Sequence, residues 1–147
     1  MSKHSCTNTV THSKVKVEQL GRKAVFLNPD NQTFDVHEVD GCLITDGLRS
    51  DYIVSKKGVA SVIVELKGKG VEHACNQLLE TVKHEAIIPL LESKVGFLVV
   101  CRRFPRHDTY VRRAQSAIMK KFKTGFHIVC DQRELTVEGV IDPQGPY

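Results

Sequence analysis

Tryptophan is missing from the chain, and aromatic residues make up only 6% of it. A platform of stacked aromatics for nucleic-acid bases is therefore not favoured, and any polyanion would be read through its backbone. No CxxC spacing occurs, and the five cysteines (Cys6, Cys42, Cys75, Cys101 and Cys130) are odd in number and widely spread. That pattern argues against a zinc knuckle or a disulfide framework and for reduced thiols in the cytoplasm. His127 with Cys130, and His4 with Cys6, are neighbours but belong to no four-ligand set. No segment approaches the ~18 consecutive apolar residues of a membrane span. The first residues, MSKHSCTNTVTHSK, hold no apolar run of the kind a signal peptide needs. Repeats, low-complexity tracts and linkers are absent from the sequence as well.

What is present is 147 residues, 41% hydrophobic and 26% charged, enough for one domain with its own core. Residues 1–13 are polar and read as a loose tail, leaving 14–147 as the single domain. The net charge of +4 is unevenly distributed. Residues 101–123, CRRFPRHDTYVRRAQSAIMKKFK, carry eight Lys and Arg and one acid, Asp108, whereas the remainder holds 13 basic and 16 acidic residues. A basic stripe on an otherwise mildly acidic chain points to a polyanionic partner, although a solvated helix face has the same composition.

Along the chain, KAVFLNP and QTFDVHEVDG flank Asn28-Pro29-Asp30-Asn31 and read as an N-terminal β-hairpin. Further short strands follow to residue 66. From Val71 the period becomes helical, with Ala74, Leu78, Val82 and Ala86 on one stripe until Pro89 kinks or ends it. VGFLVVC is a continuous apolar run, typical of a strand covered on both faces. DTYVRRAQSAIMKKF is an amphipathic helix, and FHIVCD and ELTVEG read as closing strands. The order predicts an α/β domain, a single-layer mixed sheet flanked by helices.

One strand pair holds the chemistry. A three-residue loop at Lys57-Gly58-Val59 pairs Lys56 with Ala60, Ser55 with Ser61 and Ile53 with Ile63, and sets Asp51 across from Glu65. Side chains alternate, so Asp51, Glu65 and Lys67 share one face. Tyr52, Val54, Ala60, Val62, Val64 and Leu66 share the other, apolar enough to pack on a helix. Carboxylates facing each other repel unless a cation lies between them. Mg²⁺ or Mn²⁺ suits such oxygen donors and keeps positions open for a phosphate. Lys67 would orient an attacking water or stabilise the developing charge. A strand end that simply becomes polar is the alternative.

Asp51, a gap, and Glu65-Leu66-Lys67 at the end of an apolar strand resemble the PD-(D/E)xK nuclease superfamily. SDYIVS, VIVELKGKG and the helix motif Ala74-Cys75-Asn76-Gln77-Leu78 are similar to its small phage and bacterial members over about residues 39–101. The resemblance implies a restriction-endonuclease-like fold and a metal-dependent nuclease hydrolysing phosphodiester bonds, with DNA the expected substrate. Asp51, Glu65 and the Leu66 backbone carbonyl would bind Mg²⁺ or Mn²⁺, Lys67 would serve the nucleophilic water, and Gln77 would hold Lys67 or a phosphate. From the residues alone, Gln77 lies on a polar stripe with His73, Glu80 and His84. Many members carry a further acid on a helix before the first core strand. Here the candidates are Glu18, in a short helix, Glu38 and Asp40. Phosphate contacts would come from Arg102, Arg103, Arg106, Arg112, Arg113, Lys120, Lys121 and Lys123, with Lys69 in the strand-to-helix loop. The chain is short for an enzyme that holds a duplex, so a homodimer or a larger partner is expected. If no third acid faces the site, the alternative is a non-catalytic nucleic-acid-binding or protein-interaction module that keeps the nuclease fold.

Overall fold

The computed structural model describes residues 5–66, 70–101, 109–130, 133–145 and 147. The elements in chain order are β1 (Thr7–Val10), β2 (Lys14–Gln19), β3 (Arg22–Leu27), β4 (Phe34–Glu38), β5 (Tyr52–Lys56) and β6 (Ala60–Glu65). Then come α1 (Val71–Val82), a 3₁₀ turn (Ile88–Leu90), β7 (Val95–Cys101), α2 (Thr109–Phe122), β8 (Phe126–Cys130), β9 (Arg133–Leu135) and α3 (Val137–Ile141). Six strands form a mixed sheet in the order β1-β4-β5-β6-β7-β8, antiparallel up to β6 and parallel from β6 to β8. The parallel pairs are the ones whose connections contain α1 and α2, as crossovers of a parallel sheet require.

The β5–β6 register is the one read from the sequence: Ile53 pairs with Ile63, Ser55 with Ser61 and Lys56 with Ala60. Gly58 makes the loop possible. It sits at φ 78°, and the Val59 N–H closes the turn on the Lys56 carbonyl at 2.9 Å. β7 is the expected doubly covered strand, with Phe97 to Val100 fully buried.

The architecture departs from a single layer of sheet. A second sheet, β2-β3-β9, packs over the larger one. Two cores result. Ile53, Ile63, Phe97 and Val99 meet Ala74, Leu78 and Val82 of α1 and Ile118 of α2. On the other face, Val54, Val62, Val64, Leu66, Leu98 and Val100 meet Val15, Val17, Ala24 and Phe26 of the small sheet and Val137 and Val140 of α3. Thus the apolar face expected to pack on a helix does pack on one, α3, and also on the strands of the small sheet, while the two long helices cover the face of Asp51 and Glu65. Each large aliphatic so buried contributes about 1.5–3 kcal/mol.

Four other sequence readings are corrected. β3 and β4 lie in different sheets and form no hairpin; the hairpin is β2–β3, closed by Leu20 and Gly21 at φ 52° and 80°. Asn28 explains why. It is 1% exposed, its N–H reaches the Ser13 carbonyl at 2.7 Å, and its side chain bridges the His12 and Gln32 carbonyls, so the turn carries the chain from one sheet to the other. Residues 7–10, read within a loose tail, pair with β4. Cys6 and Cys42, read as reduced thiols, form a disulfide with Cα atoms 5.7 Å apart, because the β1–β4 pairing brings residues 36 apart in sequence together. The thiol argument for a cytoplasmic location therefore loses its basis. TVEG is the start of α3, not a strand: Thr136 caps it by accepting the Gly139 N–H at 3.0 Å. Among the described residues no helix is long and apolar enough to cross a membrane.

The β1–β4 seam also contains a titratable group. His37 is 3% exposed, and its Nδ1 is hydrogen-bonded to Thr7 Oγ1 at 2.7 Å. Burial holds its pKa below the ordinary 6.5, with the Asp35 carboxylate opposing the shift. The unfolded chain binds this proton near 6.5 and the folded chain only at lower pH. The stability is therefore present above 6.5 and lost as pH falls through the lowered folded value. Urea unfolding of the wild type should become easier as pH drops below 6.5, and His37→Asn should flatten that part of the profile. Identical pH slopes in the two proteins would contradict this.

Candidate functional site

The site begins where the β5–β6 ladder ends. The last regular pair is Tyr52 with Val64, and the Asp51 N–H turns to the Val64 carbonyl at 3.1 Å. Asp51 therefore does not continue the ladder as a simple partner of Glu65. Its carboxylate reaches one residue further, and Oδ2 accepts the Leu66 N–H at 2.8 Å. Its carbonyl accepts the Val39 N–H at 3.0 Å. Backbone contacts thus hold Asp51 on both sides, and its side chain lies against the peptide that joins Glu65 to Leu66.

Glu65 is the last residue of β6, paired on its other side with Val99 of β7, and is 0% exposed; Asp51 is 6% exposed. Alternation puts both carboxylates on the Ile53–Ile63 face, under the long helices. Removing an ionised carboxylate from water is costly by several kcal/mol unless charge or hydrogen bonds compensate. Two acids kept at the end of a central strand are therefore a chemical feature as well as a structural one.

Helix α1 holds the segment leading into Asp51. The Gln77 amide donates to the Arg49 carbonyl at 3.0 Å. Thr81, fully buried, accepts from the Ser50 N–H at 2.8 Å and from the Ser50 hydroxyl at 3.0 Å, and donates to the Gln77 carbonyl at 2.7 Å. Gln77 is 8% exposed and turns inward, away from the exposed His73, so it does not belong to a solvated polar stripe. Its contact is with the strand that carries Asp51. Thr81 was not singled out in the sequence; its place four residues after Gln77 was the available signal.

The candidate third acids are placed elsewhere. Glu18 lies in strand β2 of the small sheet, not in a helix, and is exposed. Glu38 pairs with Tyr52, which puts it on the sheet face opposite Asp51 and Glu65. Asp40 is ion-paired with Arg49 at 2.8 Å. These acids nevertheless share a field. The Tyr52 hydroxyl, which donates to the Glu18 carbonyl at 3.2 Å, has its pKa raised by burial first and then by Glu38, Asp51, Asp40 and Glu18. Among the described residues no group of three or more His, Cys, Asp and Glu side chains is placed to hold a metal ion.

Lys67, Lys69, Arg102, Arg103 and Arg106 lie outside the described residues. Arg112, Arg113, Lys120 and Lys121 of α2, and Lys123 just after it, are all exposed. Since Ile118 of α2 packs in the same core as Ile53 and Ile63, these cations and the two carboxylates lie on the same side of the larger sheet. Of the remaining metal-type pairs, Cys6 is in the disulfide and His127 Nε2 is hydrogen-bonded to the Asp142 carbonyl at 2.8 Å, while His4 lies outside the described residues.

No protein-family model, curated protein or solved structure matches the chain.

The contacts of Thr81 give a direct test. Thr81→Val keeps the volume but removes the oxygen to which Ser50 donates twice, leaving a buried N–H unpaired at a cost of about 1–3 kcal/mol. Urea unfolding should show a loss of that size. An unchanged midpoint would contradict the assigned role of Thr81 in holding Ser50.

Proposed function

We propose that the chain is a metal-dependent nuclease of the PD-(D/E)xK type, with a restriction-endonuclease-like core, that hydrolyses phosphodiester bonds in DNA. The observation that carries this reading is the placement of Asp51. Its carboxylate is fixed on the Leu66 amide beside the buried Glu65, on the helix-covered face of a mixed sheet that also bears the basic helix α2.

The donor set fits a hard divalent cation. Asp51 and Glu65 offer carboxylate oxygens, the Leu66 carbonyl adds a neutral one, and all belong to backbone that packing holds in place. When bound there, Mg²⁺ or Mn²⁺ supplies charge neutralisation at a scissile phosphate and makes a coordinated water more acidic. The chain's own residues do the rest. Gln77 and Thr81 set the strand that presents Asp51, and Asp51 orients the peptide after Glu65. Lys67, two residues beyond Glu65, is the group assigned to the attacking water or the developing charge. The exposed cations of α2 hold the phosphate backbone without reading sequence.

A second reading is favoured by one observation. Glu38 is on the other face and Asp40 is engaged by Arg49, so a third acid does not join the pair among the described residues. In that reading the chain binds nucleic acid without cutting it, or acts as a protein-interaction module. A homodimer or a larger protein partner, to complete the surface a duplex needs, belongs to either reading.

Cleavage of labelled duplex, single-stranded and branched DNA, with Mg²⁺ or Mn²⁺ and with chelator, distinguishes the readings. The wild type should cut only with metal. Glu65→Gln and Asp51→Asn should each lose on the order of 100-fold or more in rate, the equivalent of about 2.7 kcal/mol or above. Wild-type rates in both variants would refute the site. Metal-independent shifts in gel mobility without cleavage would favour the binding-only reading.

A further inference from the structure

Between α1 and α2 runs an open cleft of about 730 Å³ whose lining excludes Asp51 and Glu65. Leu79 and Val82 of α1 and Ala117, Ile118 and Phe122 of α2 make it apolar. Among the described residues four large hydrophobic side chains are conspicuously exposed, and two of them, Leu48 at 44% and Ile88 at 56%, line this cleft. Apolar side chains left in water around one concavity mark a recognition surface rather than scattered surface residues.

The charges around the cleft identify the occupant. Among the described residues Lys83, Arg113 and Lys121 line it, against a single acid, Glu80, which is already ion-paired with Lys83 at 2.7 Å. Arg113 and Lys121 remain as the cations facing a partner, eight positions or about 12 Å apart along α2, with Lys121 also lying over the Phe122 ring at 5.4 Å. A second copy of this chain fits poorly. A two-fold contact through this face would oppose the exposed Arg112, Arg113, Lys120 and Lys121 of one α2 to the same residues of the other. Nucleic acid also fits poorly, because phosphates would meet the cations but leave Leu48, Ile88 and the apolar floor uncovered. Arg112 and Lys120, which do not line the cleft, remain available to a polyanion, while Arg113 and Lys121 would be shared between it and the cleft's occupant.

We propose that the α1–α2 cleft is a docking groove for an acidic amphipathic helix of a partner protein. Its apolar face would fill the groove at i, i+3, i+4 and i+7 spacing, and acids about two turns apart would meet Arg113 and Lys121. Leu48 lies directly before Arg49 and Ser50, so the partner would bear on the segment that α1 holds for Asp51.

The test uses a displayed library of ~16-residue helices, about 24 Å long, with leucine fixed on one face and all other positions randomised. The library is selected against the full chain, and the selected peptides are then synthesised with a fluorophore for anisotropy titration. The proposal predicts enrichment in Asp and Glu and salt-sensitive binding. It also predicts a loss of at least about tenfold in affinity, 1.4 kcal/mol, both in the Ala117→Trp variant and in the Arg113→Glu/Lys121→Glu variant. All three substitutions fall at exposed positions, and thermal melts confirm that the variants fold. Three results would overturn it: selected peptides without acidic enrichment, peptides whose binding both variants leave unchanged, and a dimer in sedimentation that Ala117→Trp dissociates.

Discussion

The burial of β6 on both faces constrains everything around it. Ala60 to Leu66 are all buried, held between β5 and β7 and sandwiched by α1 and α2 on one side and the small sheet with α3 on the other. A one-residue slip would exchange the two faces and drive Ser61 and Glu65 into the core that now holds Val62, Val64 and Leu66. The register is therefore fixed by packing, and the packing fixes where Glu65 and Asp51 sit. Their desolvation opposes folding, and the aliphatic burial around them offsets it.

From that strand outward, positioning passes through backbone contacts. Asp51 is held by the Val64 carbonyl, the Val39 N–H and the Leu66 N–H. The residues before it are held by Gln77 and Thr81. The loop from residue 39 is tied to β1 through the Cys6–Cys42 disulfide and to Arg49 through Asp40. A chain segment without regular structure between β4 and β5 is thus fastened at each end, which suits a segment that presents a reactive side chain. A partner seated in the α1–α2 cleft would touch this same segment at Leu48.

Much of the central layer was legible in the sequence because period and length are local signals. Alternation in SDYIVSKKGVASVIVE, with a single Gly58 turn, permits one register that groups the apolar residues, and that register is present. The continuous VGFLVVC run marks a doubly covered strand for the same reason. What was not legible depends on distant partners. Nothing local shows that β3 joins β9 instead of β4; that choice rests on Asn28 tying the turn to the Ser13 and His12 carbonyls. The Cys6–Cys42 bond depends on β1 pairing with β4. Val and Thr in ELTVEG favour a strand, but the Thr136 cap and the burial of Val137 and Val140 win. In the site, the Gln77 side chain is an inward contact to Arg49, because α1 lies over the charged face and not over the opposite one.

The central claim is that Asp51 and Glu65 form one divalent-cation site, and linkage between metal binding and folding tests it most directly. A ligand that binds only the folded chain stabilises it by about 2.7 kcal/mol at a concentration 100 times its dissociation constant. Thermal melts of the full chain over a Mn²⁺ titration should therefore show a rising midpoint in the wild type. Neither Asp51→Asn nor Glu65→Gln should show it at the same metal concentrations. A midpoint that ignores Mn²⁺ in the wild type, or that rises equally in all three proteins, would contradict the account.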